Sequence, residues 1–297
     1  MPWNPMYRSV ARLDGKTAVI TGANSGIGKE TARDLGRRGA RLILGVRSLE
    51  RGEEALRELT VGAGGEPLLL QLDLASLESV RCFAAAVRQR ESKVHLLINN
   101  AGVMACPRAE TADGFELQLG TNHLGHFLLT HLLLDQLRAA APARVINLSS
   151  LAHTKGQMYF DDLMLTKDYG DWKAYCQSKL ANVLFTRELA RRLVGSGVTT
   201  YAVHPGVVRT ELWRHQGSCM RGLIRPALRT PEQGAQTTLY CALAPELDTV
   251  SGRYYADCKE TTPSRRARSD EDAARLWAVS EQLVGLSSTD EPEQSPQ

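Results

Sequence analysis

The feature that most restricts how this chain can fold is an alternation of short apolar runs with longer segments of helical spacing. "TAVIT" (17–21) leads into a helix-like stretch through Arg38, and "RLILGV" (41–46) into a charged helix near 49–60. "PLLLQLDL" (67–74) precedes a helix near 76–90, and "KVHLLINN" (93–100) follows it. Further on, "FELQLGTNHLGHFLLTHLLLDQL" (115–137) reads as one long helix, "ARVINLSS" (143–150) as a strand, 173–194 as a helix and "VTTYAVHPG" (198–206) as a strand. Runs of four to eight apolar residues separated by helices belong to a parallel sheet covered on both faces. The predicted fold class is therefore α/β, a single doubly wound sheet.

With 297 residues and 43% hydrophobic content, the chain can bury a large core. The alternation predicts an extension over 1–15, one domain over 16–286 and a disordered, proline-bearing acidic tail over 287–297. A formal net charge of +3 gives no reason to expect nucleic acid as a partner. Six scattered cysteines without a C-x-x-C pair point to a reducing compartment. The N-terminus, "MPWNPMYRSVARLDGK", has no continuous apolar run, so it reads as neither a signal peptide nor a spanning helix. Two insert-like stretches, 151–172 and 206–230, leave from the carboxyl ends of predicted strands, where such sheets bind ligands, and both are expected to border the site.

"TAVITGANSGIGKE" (17–30) places Gly22, Gly26 and Gly28 directly after the first strand and at the opening of a helix. Glycines there permit a tight turn and a close approach of backbone to a pyrophosphate, which the helix N-terminus holds through its N–H groups and dipole. Asn24, Ser25 and Ile27 belong to the same candidate cofactor-binding turn. The spacing is G-x-x-x-G-x-G, and a ligand-free glycine turn is the alternative; the strand–turn–helix context favours the nucleotide. An NAD-preferring site carries an acid about twenty residues beyond the glycines to accept from the ribose 2′-OH. "RLILGVRS" ends instead on Arg47, and Lys29 follows the last glycine. Either cation taken singly reads equally well as a solvated surface charge, but two together with no acid suit a 2′-phosphate, so NADP(H) is the expected cofactor.

In "AYCQSKL" (174–180), Tyr175 and Lys179 lie four residues apart on one helical face. Alone, the pair is ordinary helix surface. Together, however, "TGANSGIG" (21–28), "NNAG" (99–102), Asn122 of "TNHLGHF", "LSS" (148–150), "YCQSK" (175–179) and "HPGVVRT" (204–210) resemble the short-chain dehydrogenase/reductase family, in that family's order. The resemblance runs from about Lys16 to about Leu286. "NHLGHFLLT", "SSLAH", "AYCQSKLANVLFTREL" and "YAVHPGVVRTEL" look most like its retinol dehydrogenase branch.

That resemblance implies a Rossmann-like oxidoreductase that moves a hydride between NADP(H) and an apolar alcohol/carbonyl pair, retinal/retinol first. It makes Tyr175 the general acid in reduction and general base in oxidation. An unperturbed tyrosine titrates near 10, and an ammonium one turn away, together with the positive nicotinamide ring of the oxidised cofactor, is expected to favour its phenolate. Lys179 would also bond the nicotinamide ribose. Ser150 would hold the substrate oxygen, by the register in which the second serine of the pair serves; Ser149 is adjacent. Asn122 would support a water-linked proton relay. Asn99, Ala101 and Gly102 match the adenosine side of the cofactor site, and Asp73 the position at the adenine ring, with a turn role as its alternative. Pro205, Gly206 and Thr210 match the nicotinamide side. The resemblance also implies a homodimer in which the 173–194 helix serves at the interface. Branch members commonly begin with a hydrophobic membrane anchor, which the first sixteen residues here do not contain; a cytoplasmic protein is expected, with association at the endoplasmic reticulum surface left open.

The rival readings are a broad carbonyl reductase for lipid aldehydes, steroids or xenobiotics, and a catalytically silent nucleotide-binding scaffold. The joint presence of Asn122, Ser150, Tyr175 and Lys179 speaks against the scaffold. His123, His126 and His131 share a helix, yet no cysteine or acid pattern completes a catalytic metal set, and no metal is expected. Cys176 reads as a packed small residue or a reactive thiol. The segment 208–230 interleaves Trp213, Met220, Leu223, Ile224 and Leu228 with Arg209, Arg214, Arg221, Arg225 and Arg229. It reads as a flap over an apolar substrate that also touches a membrane surface, or as solvated charges on an ordinary helix.

Overall fold

The computed structural model describes residues 6–59, 65–210 and 228–286. Its strands are β1 (Thr17–Thr21), β2 (Arg41–Val46), β3 (Leu68–Gln71), β4 (Leu96–Asn99), β5 (Ala143–Leu148), β6 (Val198–His204), β7 (Arg253–Ala256) and β8 (Lys259–Glu260). They form one sheet in the order β3-β2-β1-β4-β5-β6-β7-β8, parallel throughout except for the last pairing. The chain reverses its direction of travel across the sheet between β1 and β4, which opens a crevice at the carboxyl ends of those strands.

Successive strand residues feed opposite cores, as the twofold side-chain period demands. Val19, Ile43, Leu97 and Val145 pack on one face with Phe83, Phe127, Phe185 and Trp277. Their neighbours Ile20, Leu44, Ile98 and Ile146 pack on the other with Leu35 and Leu239. Each fully buried side chain of this size contributes roughly 1.5–3 kcal/mol relative to exposure. The covering helices are α1 (Gly26–Arg37), α2 (Leu49–Arg57), α3 (Leu77–Arg90), α4 (Leu117–Leu119), α5 (Gly125–Leu132), α6 (Leu134–Ala139), α7 (Asp171–Arg192), α8 (Pro231–Leu243) and α9 (Asp270–Leu283). Ser48, Ser76 and Ser269 cap α2, α3 and α9, while Thr230 and Gln233 form a capping box on α8 with Pro231 in its first turn.

The segment expected as one long helix is broken. Between α4 and α5 the backbone widens into a π turn over Gly120–Leu124, closed by the Gly125 N–H on the Gly120 carbonyl. The glycines at its ends permit close packing: a Cβ at Gly120 would lie 2.4 Å from Thr111 Cγ2, and one at Gly125 would lie 2.6 Å from the Leu74 carbonyl oxygen. Glu116 caps α4 by accepting from the Gln118 and Leu119 N–H groups at 2.9 and 2.6 Å. A second break falls at Leu133 (φ −107°, ψ 8°). β7, β8, α8 and α9 had no counterpart in the periodicity, and the strand predicted at 67–74 forms only over Leu68–Gln71. The described part of the N-terminal extension packs on the domain. The Tyr7 N–H donates to Gln236 Oε1 at 2.9 Å, its ring meets Tyr240 edge-on at 5.2 Å, and the Leu13 N–H donates to the Arg38 carbonyl.

Candidate active site

A cleft of about 520 Å³ opens at the carboxyl ends of the strands. At its nucleotide end, Gly22 (φ 67°) and Gly26 (φ 54°) turn the chain from β1 into α1. A Cβ at Gly28 would fall 2.4 Å from the Gly22 carbonyl oxygen and 2.5 Å from Asn100 Nδ2, so only glycine fits where helix and loop meet. Ser25, the N-cap of α1, makes no side-chain cap, which leaves the first helical N–H groups to a ligand. Gly22, Asn24, Ser25, Gly26 and Ile27 line the cleft. These features fit a dinucleotide pyrophosphate.

The remaining predicted nucleotide residues divide. Ala101, Gly102, Asp73 and the exposed Arg47 line the cleft. Asp73 Oδ1 also accepts from the Ala75 N–H at 3.0 Å, shaping the turn after β3. Asn99 is turned away: its amide donates to Thr130 Oγ1 at 2.9 Å and to Asn147 Oδ1 at 2.8 Å within the core, and Asn100 stands on the cleft wall instead. Lys29 pairs with Glu58 at 2.8 Å beside a neighbouring hollow.

At the other end α7 presents Tyr175 and Lys179 to the cleft, with Lys179 Nζ 5.6 Å from the Tyr175 ring centroid. Lys179 donates to the Leu148 carbonyl at 3.2 Å. Burial pushes the Tyr175 phenol up to about 12, opposed by its hydrogen bond with Ser150, and pushes the Lys179 ammonium down to about 8. In the protein alone burial dominates the phenol; the expected lowering invoked Lys179 together with the positive nicotinamide ring of the oxidised cofactor. Ser149 is buried and its hydroxyl donates to the Lys179 carbonyl at 2.7 Å, whereas Ser150 lies beside Tyr175 on the cleft wall. Asn122 sits in the π turn behind the wall. Its amide donates to the Val103 carbonyl and to Ser178 Oγ, and Ser178 donates in turn to the Tyr175 carbonyl.

Pro205, Gly206 and Thr210 also line the cleft. Gly206 (φ 86°) passes against the guanidinium of Arg229, which pairs with Asp257 at 2.6 Å. Val207 and Arg209 exchange backbone hydrogen bonds of 2.9 Å with Arg229. The interior of the predicted flap, including Trp213, Arg214, Met220, Arg221, Leu223, Ile224 and Arg225, lies outside the described residues. Among the seven exposed large apolar side chains described, Leu151 (57%), Trp172 (41%) and Val207 (45%) stand at this one cleft.

The short chain dehydrogenase pattern matches residues 16–219. The chain belongs to the short-chain dehydrogenase family. It is 55% identical to retinol dehydrogenase 12 of Homo sapiens over 282 residues, covering 94% of this chain and 89% of that one. It is 52% identical to retinol dehydrogenase 11 of Homo sapiens, covering 94% and 88%, and 52% to retinol dehydrogenase 13 of the same species, covering 94% and 87%. These similarities place it in the retinol dehydrogenase branch, and the enzyme is an oxidoreductase using a nicotinamide cofactor. Its fold matches the crystal structure of an uncharacterised Mycobacterium paratuberculosis protein (TM-score 0.78, 40% identity, 95% of this chain and 98% of that one). It also matches the Pseudomonas aeruginosa RhlG/NADP active-site complex (TM-score 0.66, 27% identity, 82% and 94%).

In this short-chain dehydrogenase, several cleft residues escaped the sequence reading. Arg51, in the first turn of α2, joins Arg47 and Ser48 at the rim. From sequence it is one more charge on a polar helix, and only the Ser48 cap before it marked where that helix begins. His204 lines the cleft, and its Nδ1 accepts from the Leu151 N–H at 3.2 Å, next to Ser150. Trp172 meets the Tyr175 ring edge-on at 5.8 Å; the spacing of three residues on a helix was the available signal.

Proposed function

We propose that this enzyme interconverts retinal and retinol with NADP(H), Tyr175 serving as acid and base. The observation that carries the reading is the convergence of Tyr175, Ser150 and Lys179 on a cleft whose mouth is apolar, at Leu151, Trp172 and Val207. The names of the 52–55% identical relatives support the substrate. Arg47 and Arg51 at the ribose end supply the charge a 2′-phosphate needs, and a neighbouring fold is an NADP complex.

When bound, the dinucleotide supplies or accepts the hydride. In reduction, the Tyr175 hydroxyl gives its proton to the developing alkoxide oxygen, while the Ser150 hydroxyl donates a hydrogen bond to that oxygen and fixes its position. The Lys179 ammonium stabilises the phenolate left behind. Asn122, through Ser178, holds the α7 backbone at Tyr175. Oxidation runs the same proton path backwards.

Passage of an apolar substrate between a bilayer and this mouth would bring the protein to a membrane surface, which liposome co-sedimentation of wild type against Arg221/Arg225→Glu tests. Two copies would associate through α7, tested by sedimentation equilibrium. The deciding experiment for function is NADPH oxidation with all-trans-retinal, beside medium-chain aldehydes and a steroid ketone, repeated with NADH. Efficient turnover of retinal with NADPH alone is expected. Turnover of the other carbonyls without retinal would replace the retinoid reading by a broad carbonyl reductase, and no turnover of any would leave a nucleotide-binding scaffold.

A further inference from the structure

His126, on α5, is fully buried and lies behind the cleft rather than on its wall. Its ring spans two structures that chain connectivity keeps apart. Nδ1 lies 3.0 Å from the Asn122 carbonyl oxygen, and Nε2 lies 2.9 Å from Thr21 Oγ1. A carbonyl only accepts, so Nδ1 carries a proton. Thr21 Oγ1 already accepts from the Asn100 and Ala101 N–H groups at 2.9 and 3.0 Å, which occupies both of its lone pairs. Its own hydrogen is left for Nε2, because the other acceptor within reach, the Ile98 carbonyl, is 3.5 Å away. The stoichiometry therefore selects one neutral tautomer. Burial supports it by pushing the imidazole down to about 4.

We propose that His126 is a positioning residue that couples the Asn100–Ala101 wall, through Thr21, to the Asn122 turn and thence to Tyr175. The path continues from Asn122 Nδ2 to Ser178 Oγ at 2.9 Å and from Ser178 to the Tyr175 carbonyl at 2.8 Å. Asn100 and Ala101 stand on the nucleotide side of the cleft and Tyr175 on the chemical side. One buried imidazole thus fixes the register of the two walls. The inference rests on the reading of those walls as cofactor and acid/base sites, and it assigns a role in cofactor affinity to a residue that does not touch the cofactor.

Two measurements test it. In ¹⁵N-histidine-labelled protein, the His126 resonances, assigned by their loss in His126→Asn, should show the Nδ1–H tautomer and remain unchanged down to pH 5. In fluorescence titrations with NADPH, with NADH alongside, Thr21→Val and His126→Leu should each weaken NADPH binding about tenfold. The double variant should be no weaker than the worse single one, and Thr21→Ser should bind as wild type. Where His126→Leu does not fold, His126→Asn, which can still donate to the Asn122 carbonyl, takes its place. An Nε2–H tautomer, losses that multiply in the double variant, or a Thr21→Ser loss equal to that of Thr21→Val would each overturn the coupling. A wild-type chain that binds neither dinucleotide would overturn the underlying site reading as well. Neither measurement uses turnover, so a failed retinal assay leaves both results standing.

Discussion

The hydroxyl of Ser149 donates to the carbonyl of Lys179 across 2.7 Å, fastening the end of β5 to the middle of α7. That bond separates two adjacent serines by task. Both serines border the cleft, but Ser149 is buried with its hydroxyl committed to this bond, whereas Ser150 stands beside Tyr175. Ser150→Ala is expected to lower kcat by about two to four orders of magnitude, and to cost about 0.5–2 kcal/mol of stability because its hydroxyl also accepts from the Ala152 N–H. Ser149→Ala should keep turnover within about threefold and lose about 1–3 kcal/mol in chemical denaturation. Equal losses of kcat in the two variants would return the assignment to chance.

The pH dependence of turnover follows from the opposed shifts on α7. On the proposed mechanism, reduction needs the Tyr175 proton, which the phenol keeps throughout the neutral range because burial raises it to about 12. It also needs the Lys179 charge, which is lost as pH rises through about 8. Reductive kcat/KM should therefore be flat between pH 6 and 7 and decline above about 8, while Lys179→Met is slow and lacks that limb. A wild-type profile still rising at pH 9 would contradict the assignment.

Acid stability has a definite sign. Burial lowers His123 to about 3, and His126 and His204 to about 4, each from an ordinary 6.5. The unfolded chain binds more protons than the folded one between these values, so the stabilisation is present above pH 6.5 and is lost as pH falls from there toward 4. Each histidine steepens the loss by up to about 1.4 kcal/mol per pH unit. Urea denaturation at pH 7, 6 and 5 should show the decline, and His123→Gln should make it shallower.

Gly28→Ala places a methyl group against the Gly22 carbonyl and the Asn100 amide, both of them backbone-anchored parts of the nucleotide wall. Loss of NADPH binding by more than about tenfold is expected, with a stability cost of about 1–3 kcal/mol. Isothermal titration calorimetry and thermal melting would read the two effects separately.

Trp172→Ala should reduce discrimination more than chemistry. Its indole stands at the mouth, so kcat/KM for long straight-chain aldehydes should fall about tenfold while that for propanal changes little. A uniform loss across chain lengths would mean that Trp172 supports the Tyr175 ring instead of contacting substrate.

How far these features could be read beforehand depended on whether a local pattern carried them. β1, β2, β5 and β6 were legible because each is rich in β-branched or leucine side chains and is almost wholly buried. β7 has only four residues, of which Arg253 is exposed, and gave no such run. The Gly22–Gly28 turn and the Tyr175/Lys179 pair were legible because backbone geometry and helical spacing tie them to sequence positions. Asn99 and Asn100 are indistinguishable as letters, and only the strand's alternation, which sends one inward and the next to the cleft, separates them. The π turn at Asn122 was invisible to a search for helical periodicity because Gly120 and Gly125 answer to contacts with Thr111 and Leu74, both outside the helix.

The short bridge between Val208 and Arg229 has an evolutionary consequence. The two arms of this excursion between β6 and α8 meet at one spot outside the sheet, with Arg209 and Arg229 bonded through their backbones and Arg229 anchored to Asp257. Beyond Thr210, which lines the cleft, the stretch leading to Arg229 can be lengthened, shortened or exchanged without moving a strand. On the reading of 208–230 as a flap over the substrate, descendants of one ancestor can in this way acquire new appetites for substrate while inheriting the same reaction unchanged.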